Sequence, residues 1–297
     1  MKRMKMDDTA VSAWNEFVRR IRSLGLVPLV ALSIVVVFIL VAIFSNVITP
    51  HSPNATSLPS RLKPPAWDLE GSWTFPLGTD QLGRDILSRI IAGSRTSLLV
   101  ALQALFLGAG LGGLIGIVSG YFAGWIDTML MRFADVMLAL PIILFALLFV
   151  VISEPSTTNV IVAIGLVLWA RFARVIRGQV LVVREQDFVA LARVAGLSNF
   201  RIIIFHILPN IANTLMVLAS LQVGWVIVVE ASLSFLGAGI PPPTAVWGSM
   251  IAEGRNYITT AWWITFWPGL AVMVVVLAFN LFGDWLRDTL DPKLRQL

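Results

Sequence analysis

Residues 26–48 read LVPLVALSIVVVFILVAIFSNVI, twenty-three positions without one charged side chain. A helix of about 20 apolar residues crosses the roughly 30 Å hydrocarbon core of a bilayer, so this stretch predicts a transmembrane helix. It starts too far from the N-terminus, and with too poor a cleavage site, for a secretory signal, so it is read as a span kept in the mature protein. Working outward, five more uncharged or nearly uncharged stretches follow. They lie within 96–126, up to Ser153 with Asp135 near the start and Pro141 inside, over 155–170, over 207–229, and within 257–283. The fourth is short and needs part of the 171–177 turn to cross.

Composition agrees with a lipid solvent. Charged residues make up 13% of the chain, about half the share of an ordinary soluble domain. Eleven Trp and seventeen Phe outnumber two Tyr, as befits rings placed at headgroups and in hydrocarbon. The net charge of +5 comes from scattered cations with no phosphate-tracking stripe, which argues against nucleic-acid binding. Cysteine is absent, which excludes disulfides and thiolate chemistry. His51 and His206, the two histidines, are expected on opposite sides of the membrane, so they build no shared metal or proton site.

Orientation follows from the lysine and arginine bias. With both termini in the cytoplasm, sixteen of the 22 cations fall on that side and six on the other. The expected organisation is a cytoplasmic tail 1–25, a first span 26–48, an extracytoplasmic loop 49–95 and a five-helix core 96–285, then a tail 286–297. Five prolines between Pro50 and Pro65 predict an extended cover in the loop, ahead of a short helix near 85–92.

Three local patterns stand out. Gly108, Gly112, Gly116 and Gly120 repeat every four residues, a ridge that lets a neighbouring helix approach closely. GRDILSR, with Gly83, Arg84, Asp85 and Arg89, is either a contact for an external partner or a self-capped helix with local ion pairs. Glu230, near the outer end of the fifth span, either lines a solute path or serves the structure by pairing with Arg255 or capping a turn. Asp135 is expected to pair with Arg132, three residues away.

The connection over 171–206 is the most informative. From Glu185 it reads EQDFVALARVAGLSNFRIIIFHILPN. Phe188, Leu191, Ala192 and Ala195 share one helical face, while Glu185, Asp187 and Arg193 occupy the others. Gly196 suits a left-handed helix stop and Ser198 a new N-cap, giving helix, bend and helix over 184–206. Such an elbow either seats in a cytosolic partner and passes its motion to the spans, or lies as an amphipathic helix on the headgroups.

Ala192, Gly196, Leu208 and Pro209 resemble the cytoplasmic signature of binding-protein-dependent ABC importer permeases. Ala190 and Leu191 stand where that signature opens with an acid and an alanine, and His206 replaces an isoleucine ahead of Leu208 and Pro209. PLGTDQLGRDILSR (76–89), GYFAGWIDTMLMRFAD (120–135), EASLSFLGAGIPPP (230–243), WGSM (247–250) and FNLFGDWLRDTLDPKL (279–294) look like the dipeptide, oligopeptide and nickel branch. The likeness covers about 26–296. It implies an all-α, six-helix, type I importer permease in a bacterial inner membrane, with a homologous second permease, two cytosolic ATPases and an extracytoplasmic solute-binding protein. Phe188, Leu191, Ala192, Arg193, Ala195, Gly196, Leu208 and Pro209 would then form the ATPase-coupling segment.

No lysine follows glycine in the sequence, so there is no P-loop, and ATP and Mg would be bound by the partner ATPases. Short peptides are the expected cargo, with nickel chelates or other small solutes as the alternative. A passive channel and a non-transporting scaffold are the rival classes. A channel predicts flux from the purified chain alone; a scaffold predicts complexes without accumulation.

Overall fold

The computed structural model describes residues 25–290. Nearly all of the expected N-terminal tail, and 291–297 of the C-terminal one, lie outside the described residues together with their cations. The described chain folds as α1 (Leu26–Ile48), α2 (Ile86–Phe122), α3 (Gly124–Ala139), α4 (Ile142–Ser153), α5 (Thr157–Arg184), α6 (Asp187–Val194), α7 (Asn199–Ile202), α8 (Leu208–Phe235), α9 (Trp247–Gly254) and α10 (Trp263–Leu290). A π-turn, Ile203–Ile207, joins α7 to α8.

Among the described residues, five helical stretches are long and apolar enough to cross a bilayer: α1, α2, α5, α7 running on into α8, and α10. The bent pair α3 and α4 makes a sixth when counted as one span. That third span was expected to run through Pro141, but the two helices meet at 90°. Proline disfavours helical geometry in the residue before it, and Leu140 accordingly takes φ −75°, ψ 138°.

α1 shows how the sequence meets lipid. Ala31, Val35, Phe38, Ala42 and Ser45 are buried at spacings of three and four, one stripe facing the bundle. Val36, Val37, Leu40, Ile43, Phe44 and Val47 are exposed on the rest of the helix. A large apolar surface left open on every other side is stable in hydrocarbon and costly in water. Phe38 anchors the stripe, edge-on to Phe279 with ring centroids 5.9 Å apart.

Two boundaries differ from those expected, and each has a physical cause. Residues 86–95 belong to no separate short helix: they are the first turns of α2. Asp85 caps that helix by accepting from the Ser88 amide at 3.1 Å, and Arg89 turns inward to donate to the Pro53 carbonyl at 3.3 Å, so the helix runs on through the charges. At 37 residues α2 is about 55 Å long, well beyond the bilayer core.

The second difference concerns Arg171, Arg174 and Arg177, expected in a connecting loop. They lie three residues apart on α5, which continues to Arg184. Each finds a partner on a neighbouring helix: Arg171 sits 4.4 Å over the Trp225 ring, Arg174 pairs with Asp135, and Arg177 with Asp127. Asp135 therefore reaches across to α5 instead of pairing with Arg132. The connection between α5 and the next span shrinks to the segment around α6 and α7.

α2 and α5 form the most extensive helix pair, and the glycine ridge is their seam. A Cβ on Gly108 would lie 2.7 Å from Leu168 Cβ, on Gly116 2.6 Å from the Ala173 carbonyl oxygen, and on Gly120 2.8 Å from Val180 Cβ. Gly112 meets the Trp169 carbonyl still more closely. The missing side chains allow backbone to touch backbone, which substitutes dispersion for a hydrophobic drive that lipid cannot supply. One end of this seam carries the folded loop 49–85, and the other carries α6 and α7.

Candidate functional site

At the elbow end, the chain turns sharply after α6. Gly196 has φ +78°, its amide donates to the Arg193 carbonyl at 3.0 Å, and the Leu197 amide donates to the Ala192 carbonyl at 3.1 Å. This pair of bonds is a Schellman closure, and it needs a residue that tolerates left-handed geometry. Ser198 then caps α7, accepting from the Arg201 amide.

The apolar stripe of α6 is divided between two surroundings. Val189 and Ala192 are buried, with Phe188 and Leu197 partly so, against Ile117, Tyr121, Ile176, Val180 and Val183. Leu191 and Val194 are exposed by 68% and 87%, and Ala195, Gly196 and Phe200 are exposed beside them. The single stripe read from the sequence is thus corrected. Val189, not Leu191 or Ala195, is the inward residue with Ala192, so the other apolar side chains are left as an outward face. Arg193 folds its guanidinium back toward the Tyr121 ring, 5.6 Å from its centre.

The elbow is tied to the bundle through the π-turn and through the end of α2. Pro209 has no N–H to give and would crowd the preceding turn, and the chain widens there. The Leu208 amide donates back to the Ile203 carbonyl, and the Asn210 side-chain amide donates to the His206 carbonyl at 2.7 Å. Leu208 is half-buried and Pro209 exposed.

At the end of α2, the Tyr121 hydroxyl donates to Asn199 Oδ1 at 2.9 Å, and Arg184 donates to the Gly120 carbonyl at 2.9 Å. Ser119 and Arg177 both donate to Asp127. Sequence reasoning missed Tyr121, Asp127, Arg177 and Arg184 as a group, because their partners lie 8 to 78 residues away and no local spacing reports them.

At the opposite end, GRDILSR turns inward. Arg84, Asp85 and Arg89 are exposed by 6%, 2% and 1%, and Gly83 is buried with φ +73°. Asp80 is the hub: its Oδ2 accepts from Arg84 Nε at 2.5 Å and stands 3.8 Å from Arg89 Nε, while its Oδ1 accepts the Leu82 and Arg84 amides. Arg84 also reaches Glu253 in the last turn of α9, and Gln81 donates to the same carboxylate at 2.9 Å. Trp263 clamps the loop to α10 by donating to the Thr79 carbonyl at 3.1 Å. The four residues offered as a partner contact are therefore buried, with Arg84, Asp85 and Arg89 turned toward the loop, α2 and α9.

Glu230 is also buried, 1% exposed, and accepts from the Ser234 hydroxyl at 2.8 Å one turn along α8. Arg255 is exposed, and the ion pair weighed for the two is not among those the described residues form. An open apolar concavity of about 420 Å³ is lined by Val228, Phe235, Ile251 and Val272 among others, and Glu230 is not part of its lining. In this chain Glu230 stands inside the helix packing, off that surface.

A bundle of apolar, outward-facing helices with a short helical elbow between two of them defines a multi-pass membrane protein, and its relatives are transport permeases. Residues 112–296 match the model of the binding-protein-dependent transport system inner membrane component, and 12–65 match the N-terminal membrane domain of oligopeptide transport permease C. The chain is 44% identical to a dipeptide transport system permease protein of Escherichia coli, over 90% of this chain and 89% of that one. It is 40% identical to one from Alkalihalophilus pseudofirmus, over 97% and 92%, and 38% identical to a di/tripeptide permease of Pseudomonas aeruginosa, over 95% and 91%. The chain belongs to the family of binding-protein-dependent transport system inner membrane components, as a permease subunit with the type I fold.

Proposed function

We propose that this chain is one permease half of an ATP-driven importer that carries dipeptides and short oligopeptides into a bacterial cell. The observation that carries the ATP-driven part is the outward apolar face of Leu191 and Val194 on α6, between two spans, with Phe200 exposed at the start of the second. Apolar side chains held out by a capped, buttressed elbow are stable when a protein groove covers them. Two cytosolic ATPases, which bind ATP and Mg, supply such grooves, one for this chain and one for a homologous second permease. The peptide cargo rests on the names of the relatives above, and an extracytoplasmic solute-binding protein delivers it. Both termini then lie in the cytoplasm, in keeping with the lysine and arginine bias.

In this mechanism nucleotide draws the ATPases together, the elbows move with them, and the paired bundles open outward to accept solute. Hydrolysis reverses the motion. Solute or receptor that favours the outward form must favour the nucleotide-bound form to the same extent.

The test uses the complete complex in proteoliposomes. Leu191→Asp with Val194→Asp places charge on the outward face and leaves Val189 and Ala192 in their packing. Loss of ATPase copurification and of peptide uptake, with normal membrane insertion and melting, is the expected result. Uptake by the purified single chain, or full activity of the double variant, contradicts the proposal.

A further inference from the structure

We infer that the corner between α2 and α3, residues 119–127, receives the elbow's motion, and that Tyr121 is the positioning residue that joins the two. The inference deepens the importer mechanism proposed above and rests on it.

Contacts from α5, α6 and α7 converge on the corner. Tyr121, 7% exposed, packs among Ile176, Val180, Val189, Ala192 and Ile202, so its ring touches both α5 and the elbow. Its hydroxyl donates to Asn199, the first residue of α7, and Arg193 of α6 lies over its ring. Arg184, the last residue of α5, holds the Gly120 carbonyl at 2.9 Å. Arg177 and Ser119 hold Asp127, in the first turn of α3.

The corner itself is narrow and strained. Ala123 takes φ +53°, ψ −156°, and Gly124 φ +63°. A non-glycine residue in that region stays only where its surroundings fix it, and here the fixing groups are the arginines and the elbow. The seam at Gly116 and Gly120 keeps α2 against α5 up to this point. Displacement of α6 and α7 is therefore passed through Tyr121 to the end of α2, and through the corner to α3 and the 90° break at Pro141. The coupling signature at 184–206 contains the donor of the motion, and Tyr121 lies outside it.

Tyr121→Phe keeps the ring and its packing and removes only the bond to Asn199. The sequence has no cysteine, so spin labels can be set at Gln186→Cys on the elbow and Trp125→Cys at the corner, both exposed, in the assembled complex. With native Tyr121, the label distance should be the same without nucleotide and with ATP plus vanadate, because corner and elbow travel together. In Tyr121→Phe it should change between the two states. Uptake of alanyl-alanine per ATP hydrolysed should fall about fivefold, the weight of one ordinary hydrogen bond, with ATPase copurification unchanged. Asn199→Leu should give the same loss, and the double variant no more than either alone.

A Tyr121→Phe complex with native distances and native uptake per ATP overturns this inference and leaves the importer standing. A complex of the unaltered chain that shows no response to nucleotide and no uptake overturns the importer mechanism itself, and this inference with it.

Discussion

Arg177 grips both carboxylate oxygens of Asp127, with Nη2 to Oδ2 at 2.6 Å, across fifty residues of sequence. The side chains are 33% and 14% exposed, so the pair is sheltered and geometrically fixed. By contrast Arg174, three residues before Arg177 on α5, and Asp135, eight residues after Asp127 on α3, are 55% and 54% exposed. Two charge-assisted bonds at a sheltered fork are worth more than one at the surface. Asp127→Ala is expected to cost about 2 kcal/mol. Asp135→Ala should stay within about 1 kcal/mol. Thermal unfolding of both variants in one detergent checks the order; equal losses would refute it.

Asp80 is the counter-ion for two buried arginines, and its removal should be the most damaging single change in the loop. Asp80→Ala leaves Arg84 and Arg89 buried, with Glu253 as the remaining acid in reach of Arg84. An uncompensated buried charge costs about 3–5 kcal/mol. The variant should yield little folded protein, and limited proteolysis should cut within 49–85. A native melting curve and a protease-resistant loop would show that the network is dispensable.

The glycine seam makes a prediction with an internal control. A Cβ at Gly116 would lie 2.6 Å from the Ala173 carbonyl and 3.0 Å from Ile176 Cβ, so Gly116→Ala must push α2 off α5. Overpacking of this kind costs about 1–3 kcal/mol. Gly110, on the same helix, meets nothing within 4 Å, and Gly110→Ala should gain up to about 1 kcal/mol of helix propensity. Opposite shifts in melting temperature are expected, and a shared direction would contradict the packing.

Gly196 tests conformation without bulk. A Cβ there has open space around it, yet φ is +78°, so the cost of substitution comes from backbone chirality alone. Gly196→Ala should weaken the elbow by about 1–2 kcal/mol. Gly196→Asn should be milder, because asparagine visits that region more readily. The readout is ATPase copurification and uptake per ATP, ranked Gly, Asn, Ala, then Pro as the most severe. Equal coupling for all four would remove the rigid-elbow mechanism.

Much of this architecture was legible because lipid imposes simple rules. The stretch 26–48 could only span, and the glycines at 108, 112, 116 and 120 marked a seam before the helix facing them was known. Gly196 and Ser198 marked the bend from local conformational preference. The errors came where charge was taken as a boundary. Arg95 and Arg171 looked like the ends of spans, and each sits within a helix, Arg171 because the ring of Trp225, distant in sequence, receives it. Pro141 misled in the other direction, since a proline that a straight helix sometimes tolerates here turns the chain through a right angle.

The sequence by itself determined a membrane solvent, the stretches that enter it, and the elbow with its stop and cap. These depend on apolar runs and on backbone preferences within a few residues. Only the tertiary structure decided that GRDILSR folds inward on Asp80, that Glu230 is enclosed, that Val189 and not Leu191 faces the bundle, and that Tyr121 meets Asn199. A side chain's partner across a bundle depends on the rotation and depth of two packed helices, and neither is encoded in the spacing along one of them.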